Sequence, residues 1–186
     1  MQVLETLIRQ IFPEYNHEKF QKENGVNTDT ILESVLDAVR ISGHADRMVS
    51  EGWNLRGATR SEKKAGRAFV DIDAKEIVFS MPWKSMPRED LRFIVFHEFG
   101  HVVDILEGRF YIDENETVIF NNQEVSEYFI NFAMIFDDDM MYCSLPHELS
   151  ANTWALKSGV VPLLEKTLVC YKTATGEIPV INFSDL

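Results

Sequence analysis

His97-Glu98-Phe99-Gly100-His101 places two imidazoles and a carboxylate within five residues. On a helix, residues four apart share one face, about 6 Å apart along the axis. Two imidazoles so arranged can converge on one tetrahedral Zn²⁺, each nitrogen about 2.0–2.1 Å from the metal. Glu98 is turned by about 100° from His97, which takes it out of the ligand set but leaves it within reach of a water at the metal. That is the position of a general base in metal-assisted hydrolysis. Gly100 removes a side chain where substrate or a neighbouring strand needs to approach, although glycine costs about 1 kcal/mol of helix propensity relative to alanine. Two histidines and a glutamate in an otherwise apolar helix are expensive to bury unless a ligand engages them.

A second stretch, Ser144 to Gly159, bears on the same chemistry. Ser144 suits a cap, Pro146 a first turn and Gly159 the residue past the end. Glu148, Ala151, Asn152 and Ala155 then fall on one helical face. A carboxylate backed by alanines lets a second helix pack closely and hand a ligand to a metal. Read without that, Glu148 is a first-turn acid complementing the helix dipole. His147 is a competing ligand on the same helix.

The elements that must position these groups are readable. The window Leu91–Leu106 is apolar nearly all round, as suits a helix buried on most faces. Pro87, Glu89 and Asp90 suit its start and Gly108 its stop. Upstream, Val3, Leu4, Leu7, Ile8 and Ile11 space as an amphipathic helix closed by Pro13. Residues 14–27 are polar, with His17-Glu18 a surface pair. Thr30 to Glu33 reads as a capping box for a helix running to about Ile41, followed by a turn at Ser42-Gly43-His44 with His44 exposed. Residues 50–67 read as a loop with a short helix. Segments 67–73 and 76–80 predict two strands joined near Ala74, and 109–120 a hairpin about Asp113–Glu116. Val125 to Phe136 spaces as a helix ending at Asp137-Asp138-Asp139, a solvated end. A last helix is expected over about 162–172, with an extended tail.

At 186 residues the chain fits one domain, with a helical N-terminal part over about residues 1–60. The net charge of −12 offers no basic stripe for nucleic acid. Between Glu107 and Ala151 ten acidic residues face one basic residue, Arg109, which reads as a solvated face. With two cysteines, Cys143 and Cys170, and no C-x-x-C pair, no disulfide framework is expected and a reducing compartment is the default. No signal peptide or membrane-spanning run is read, so the expectation is a cytoplasmic protein without a membrane partner.

His97-Glu98-x-x-His101 with downstream Glu148-x-x-Ala151-Asn152-x-x-Ala155 resembles the gluzincin branch of the zincin metallopeptidases, most closely in size the compact ImmA/IrrE-like peptidases. The run His-Glu-Phe-Gly-His-Val-Val-Asp is also similar to the catalytic helix of the anthrax lethal factor catalytic domain. The resemblance covers roughly residues 67–158. Other zincin branches fit worse: Asp104 stands where the metzincin pattern needs glycine, and deformylases need a cysteine upstream of the histidines.

The resemblance implies Zn²⁺ on His97, His101 and Glu148, with Glu98 as general base in peptide-bond hydrolysis. Tyr142 is the first candidate to stabilise the oxyanion, with His147 and Tyr128 behind it. Asp104 is either an orienting partner for an imidazole or, more simply, exposed. The implied fold is α+β and zincin-like: a small, mostly antiparallel sheet packed on the active-site helices. Strand 76–80 or its neighbour would line the cleft and take a protein or peptide substrate in extended form. The alternative is a catalytically silent zinc-containing regulatory module on the same scaffold. Oligomeric state is not readable.

Overall fold

In a computed structural model of the chain, residues 2–59, 61–62, 68–80, 86–126, 139–163 and 165–177 are described. The chain opens with four helices: α1 (Gln2–Ile11), α2 (His17–Asn24), α3 (Thr28–Ser42) and α4 (Ala45–Glu51). The amphipathic pattern of α1 buries Ile8 completely. α2 lies in the polar stretch to which no element was assigned; the Asn16 side chain caps it, accepting from Lys19 N–H at 3.0 Å, and Phe20 anchors it in the core. α3 starts two residues before the Thr30 capping box, off a short 3₁₀ turn at Gly25–Asn27. Gly43 ends it with φ 71°, a left-handed stop that glycine adopts without strain. α4 lies mostly in the unassigned residues before the expected loop, reaching two residues into it, and buries Met48. His44, at its start, is half-buried rather than exposed.

Three short strands follow: β1 (Asn54–Gly57), β2 (Ala68–Asp71) and β3 (Glu76–Phe79), in spatial order β1–β3–β2. The β2–β3 hairpin is antiparallel, as expected, with Phe69 opposite Val78. β1 falls in the expected loop and pairs parallel with β3, Leu55 opposite Ile77. A second sheet, β4 (Phe110–Ile112), β5 (Val118–Phe120) and β6 (Gln123–Glu124), is antiparallel throughout and contains the expected hairpin.

Between the sheets runs α5 (Arg88–Leu106), the histidine helix, with Pro87 at its N-cap and Gly108 just past its end at φ 74°. It is buried on most faces, as its composition requires. α6 (Asp139–Ser144), α7 (Pro146–Lys157) and α8 (Glu165–Thr175) complete the chain. Leu145, not Ser144, occupies the cap position of α7, because Ser144 closes α6. α5 packs chiefly on α7 and α3 and also meets β2. One apolar core joins Ile8, Leu32 and Val35 to Leu55, Ile77, Phe96, Phe99 and Ala155, and a smaller cluster gathers Phe110, Phe120, Val125 and Leu145. The fold is mixed α+β.

Two further expectations change. Cys143 on α6 and Cys170 on α8 form a disulfide across 27 residues, so the inference of a reducing compartment from unpaired thiols loses its basis. The helix expected over 125–136, including Tyr128, lies mostly outside the described residues, as do Asp137 and Asp138. Among the described residues no helix is long and apolar enough to cross a membrane.

Candidate metal centre

α5 carries His97 and His101 one turn apart, and their Nε2 atoms lie 3.2 Å from each other. The first turn of α7 brings in Glu148, its Oε2 3.2 Å from His97 Nε2 and its Oε1 3.5 Å from His101 Nε2. These three residues could hold a metal ion, their donor atoms all lying within 4.8 Å of one another. The spacing has a geometric meaning. Ligands about 2.05 Å from a tetrahedral centre stand about 3.3 Å apart, close to the imidazole–imidazole separation and to the distance from each imidazole to its nearer carboxylate oxygen, Oε2 for His97 and Oε1 for His101.

The two helices meet this closely because of Gly100. A Cβ at Gly100 would lie 2.6 Å from Ala151 Cα and 2.8 Å from Ala151 O. The missing side chain therefore makes room for the backbone of α7 rather than for a strand or substrate. Ala151 and Ala155 are fully buried on the α7 face that also presents Glu148 and Asn152, as their spacing predicted.

The histidines are held differently. His97 Nδ1 lies 2.8 Å from Asn152 Oδ1. In the neutral imidazole, donation by Nδ1–H to that oxygen fixes the tautomer that leaves Nε2 with its lone pair toward the site. Asn152 was placed on the right face by sequence but given no role; its position four residues after Glu148 was the available signal. Asp104 is neither exposed nor an imidazole partner: it is buried and accepts from Arg109 Nε at 2.8 Å. Among the described residues His101 Nδ1 has no hydrogen-bond partner.

Electrostatics follow from burial. For His97 burial opposes a charge, but the adjacent Glu148 carboxylate outweighs it, and the pKa is pushed up to about 9 in the metal-free chain. Burial raises the Glu98 carboxyl above the ordinary range, although both imidazoles pull it back. Tyr142 donates to Glu148 Oε1 at 2.8 Å, and burial of its hydroxyl beside that carboxylate keeps it protonated. Burial lowers His147 to about 4, so its imidazole is neutral at pH 7. His147 is buried, its ring stacked on Phe110 at 5.1 Å and its Nε2 3.4 Å from Glu148 Oε1.

All six of these groups line one cleft of about 160 Å³: His97, Glu98, His101, Tyr142, His147 and Glu148. Its apolar wall is Phe110 together with Ala68, Phe69, Val70 and Ile72 from β2 and the turn after it. β2, the neighbour of strand β3, is thus the strand at the cleft, and among the described residues it pairs only with β3. Comparison with protein-family models, curated proteins and solved structures finds no match for this chain.

Proposed function

We propose that the chain is a zinc-dependent metallopeptidase of zincin type. One observation carries this reading: two imidazoles and a carboxylate converge, their donor atoms within 4.8 Å of one another, in a cleft that also contains a buried glutamate outside the donor set. Three nitrogen and oxygen donors from the protein suit zinc with a position left for substrate or water. When bound, zinc supplies Lewis acidity to the attacking water and the scissile carbonyl. Glu98 takes a proton from that water and delivers it to the leaving amine, a task to which its raised pKa is suited. Tyr142, and after it the neutral His147, donate to the oxyanion that develops on the carbonyl. The outer edge of β2 holds the peptide extended by strand addition, with its side chains against the apolar wall.

A second reading, a catalytically silent zinc-containing regulatory module, has one observation in its favour. The Tyr142 hydroxyl is spent on Glu148 rather than directed at the open cleft. Glu98→Gln separates the two readings. The variant should keep metal and fold while losing hydrolysis by about 10²–10⁴-fold. Comparing newly formed protein termini produced by wild type and by this variant provides the assay. Equal turnover would refute the mechanism, and no new termini from wild type would favour the silent module.

A further inference from the structure

Glu148 has two oxygens to offer a metal, and the chain treats them differently. Oε1 accepts from the Tyr142 hydroxyl at 2.8 Å. Oε2 stands 3.2 Å from His97 Nε2, is buried, and has no hydrogen-bond partner among the described residues. A carboxylate oxygen buried without a partner is costly. An ion set among the donors, about 2.0–2.2 Å from each, relieves that cost in a space too tight for water.

Tyr142 reaches Oε1 from a fixed backbone. It lies on α6, and its carbonyl accepts from Leu145 N–H at 3.1 Å in the turn that leads into α7. Its neighbour Cys143 is fully buried and bonded to Cys170 on α8. Two other groups approach Oε1, His147 Nε2 at 3.4 Å and His101 Nε2 at 3.5 Å. Both are longer than a charge-assisted hydrogen bond, at about 2.7–2.9 Å for a nitrogen donor, so the tyrosine makes the short contact.

We propose that Tyr142 is a positioning residue that makes Glu148 a one-oxygen ligand. Its proton occupies Oε1, so that Oε2 alone serves the metal. Carboxylates bind metals through one oxygen or through both. Holding Glu148 to one keeps the protein's donors at three and leaves a position for substrate. The inference rests on the metal centre in the reading above and concerns the site before substrate enters. A phenol has one proton to give, so while it is on Glu148 it is not on an oxyanion.

The test needs neither substrate nor hydrolysis. Cobalt(II) is titrated into the metal-free full chain and its visible absorption recorded, four-coordinate cobalt absorbing more intensely than five-coordinate. Wild type should give the intense pattern, from His97, His101, one Glu148 oxygen and solvent. Tyr142→Phe, a conservative change at a residue 37% exposed, should still bind cobalt but shift to the weaker five-coordinate pattern as Oε1 joins the metal. His147→Ala should keep the wild-type pattern. Zinc-edge X-ray absorption of the wild type, which needs no variant, should likewise count four nitrogen or oxygen neighbours. A five-coordinate wild type, or a Tyr142→Phe chain that binds cobalt with the wild-type spectrum, would overturn the role of Tyr142 and leave the metal centre standing. No uptake of cobalt or zinc by the wild type would overturn both.

Discussion

Gly100→Ala tests whether the approach of α7 to α5 is what assembles the metal centre. The added Cβ would stand 2.6 Å from Ala151 Cα, 2.8 Å from its carbonyl oxygen and 3.0 Å from its Cβ. Unstrained carbon contacts lie at about 3.5–4.0 Å, so the helices must separate by about 1 Å. The obstructing atoms are mainly backbone and cannot swing aside. Alanine gains about 1 kcal/mol in helix propensity. Overpacking costs about 1–3 kcal/mol, and here the strain falls at its upper end because backbone must move. A net loss of about 1–2 kcal/mol lowers Tm by about 2–8 °C in a domain of this size.

The effect on metal should be larger than that on stability. Glu148, three residues before Ala151, moves with it, and metal sites tolerate ligand displacements of only about 0.2 Å. Zinc affinity, measured by competition with a chromophoric chelator, should fall by about 10–100-fold. Adding Ala151→Gly should restore little, since the two shortest contacts are with backbone atoms. A Gly100→Ala chain with wild-type Tm and wild-type zinc affinity would refute the reasoning.

Glu148→Ala should lose zinc in metal analysis while His147→Ala retains it; the reverse result would make His147 the third ligand. Replacing both Cys143 and Cys170 by serine should cost about 3.5 kcal/mol in denaturant unfolding, from loop-closure entropy over the 27-residue separation, and an unchanged midpoint would count against the cross-link. Glu62, held by Arg56 and Thr59, has its pKa lowered from 4.5 to about 2, so its contribution to stability is complete above pH 4.5 and is lost as pH falls toward 2. Glu62→Gln should therefore melt below wild type at pH 7, with the gap closing through that acid window; a gap independent of pH would show that the carboxylate's charge is not what matters.

The histidine pair and its helix could be read directly because four-residue spacing is a property of a single element. Glu148 could be read because Ala151 and Ala155 mark the close-packed face on which it sits. Gly100 was recognisable as a site of close approach, but not its neighbour, since nothing local to α5 names α7. Asp104 was misjudged for a related reason. A helix buried all round has no polar stripe to separate inside from outside, and the partner Arg109 lies beyond the Gly108 turn. β1 was hidden by its polar surroundings, and its pairing is with a strand on the far side of β2 in sequence. α2 and α4 are too short for a periodic pattern, and the Cys143–Cys170 pairing is purely tertiary.

The edge position of β2 among the described residues has another consequence. A sheet edge that can accept a foreign strand can equally accept a second copy of itself, the usual route to edge-to-edge aggregation. Three features oppose self-pairing here. β2 is four residues long, so a copy would gain few ladder bonds. It ends in Asp71, with Asp73 close behind, which brings like charges together when two such edges align in parallel. The chain's net charge of −12 also repels copies before contact, whereas a neutral or basic segment feels no such barrier. Under the proposed strand addition, the acidity of the molecule would select by charge what reaches this edge, before any side chain is read.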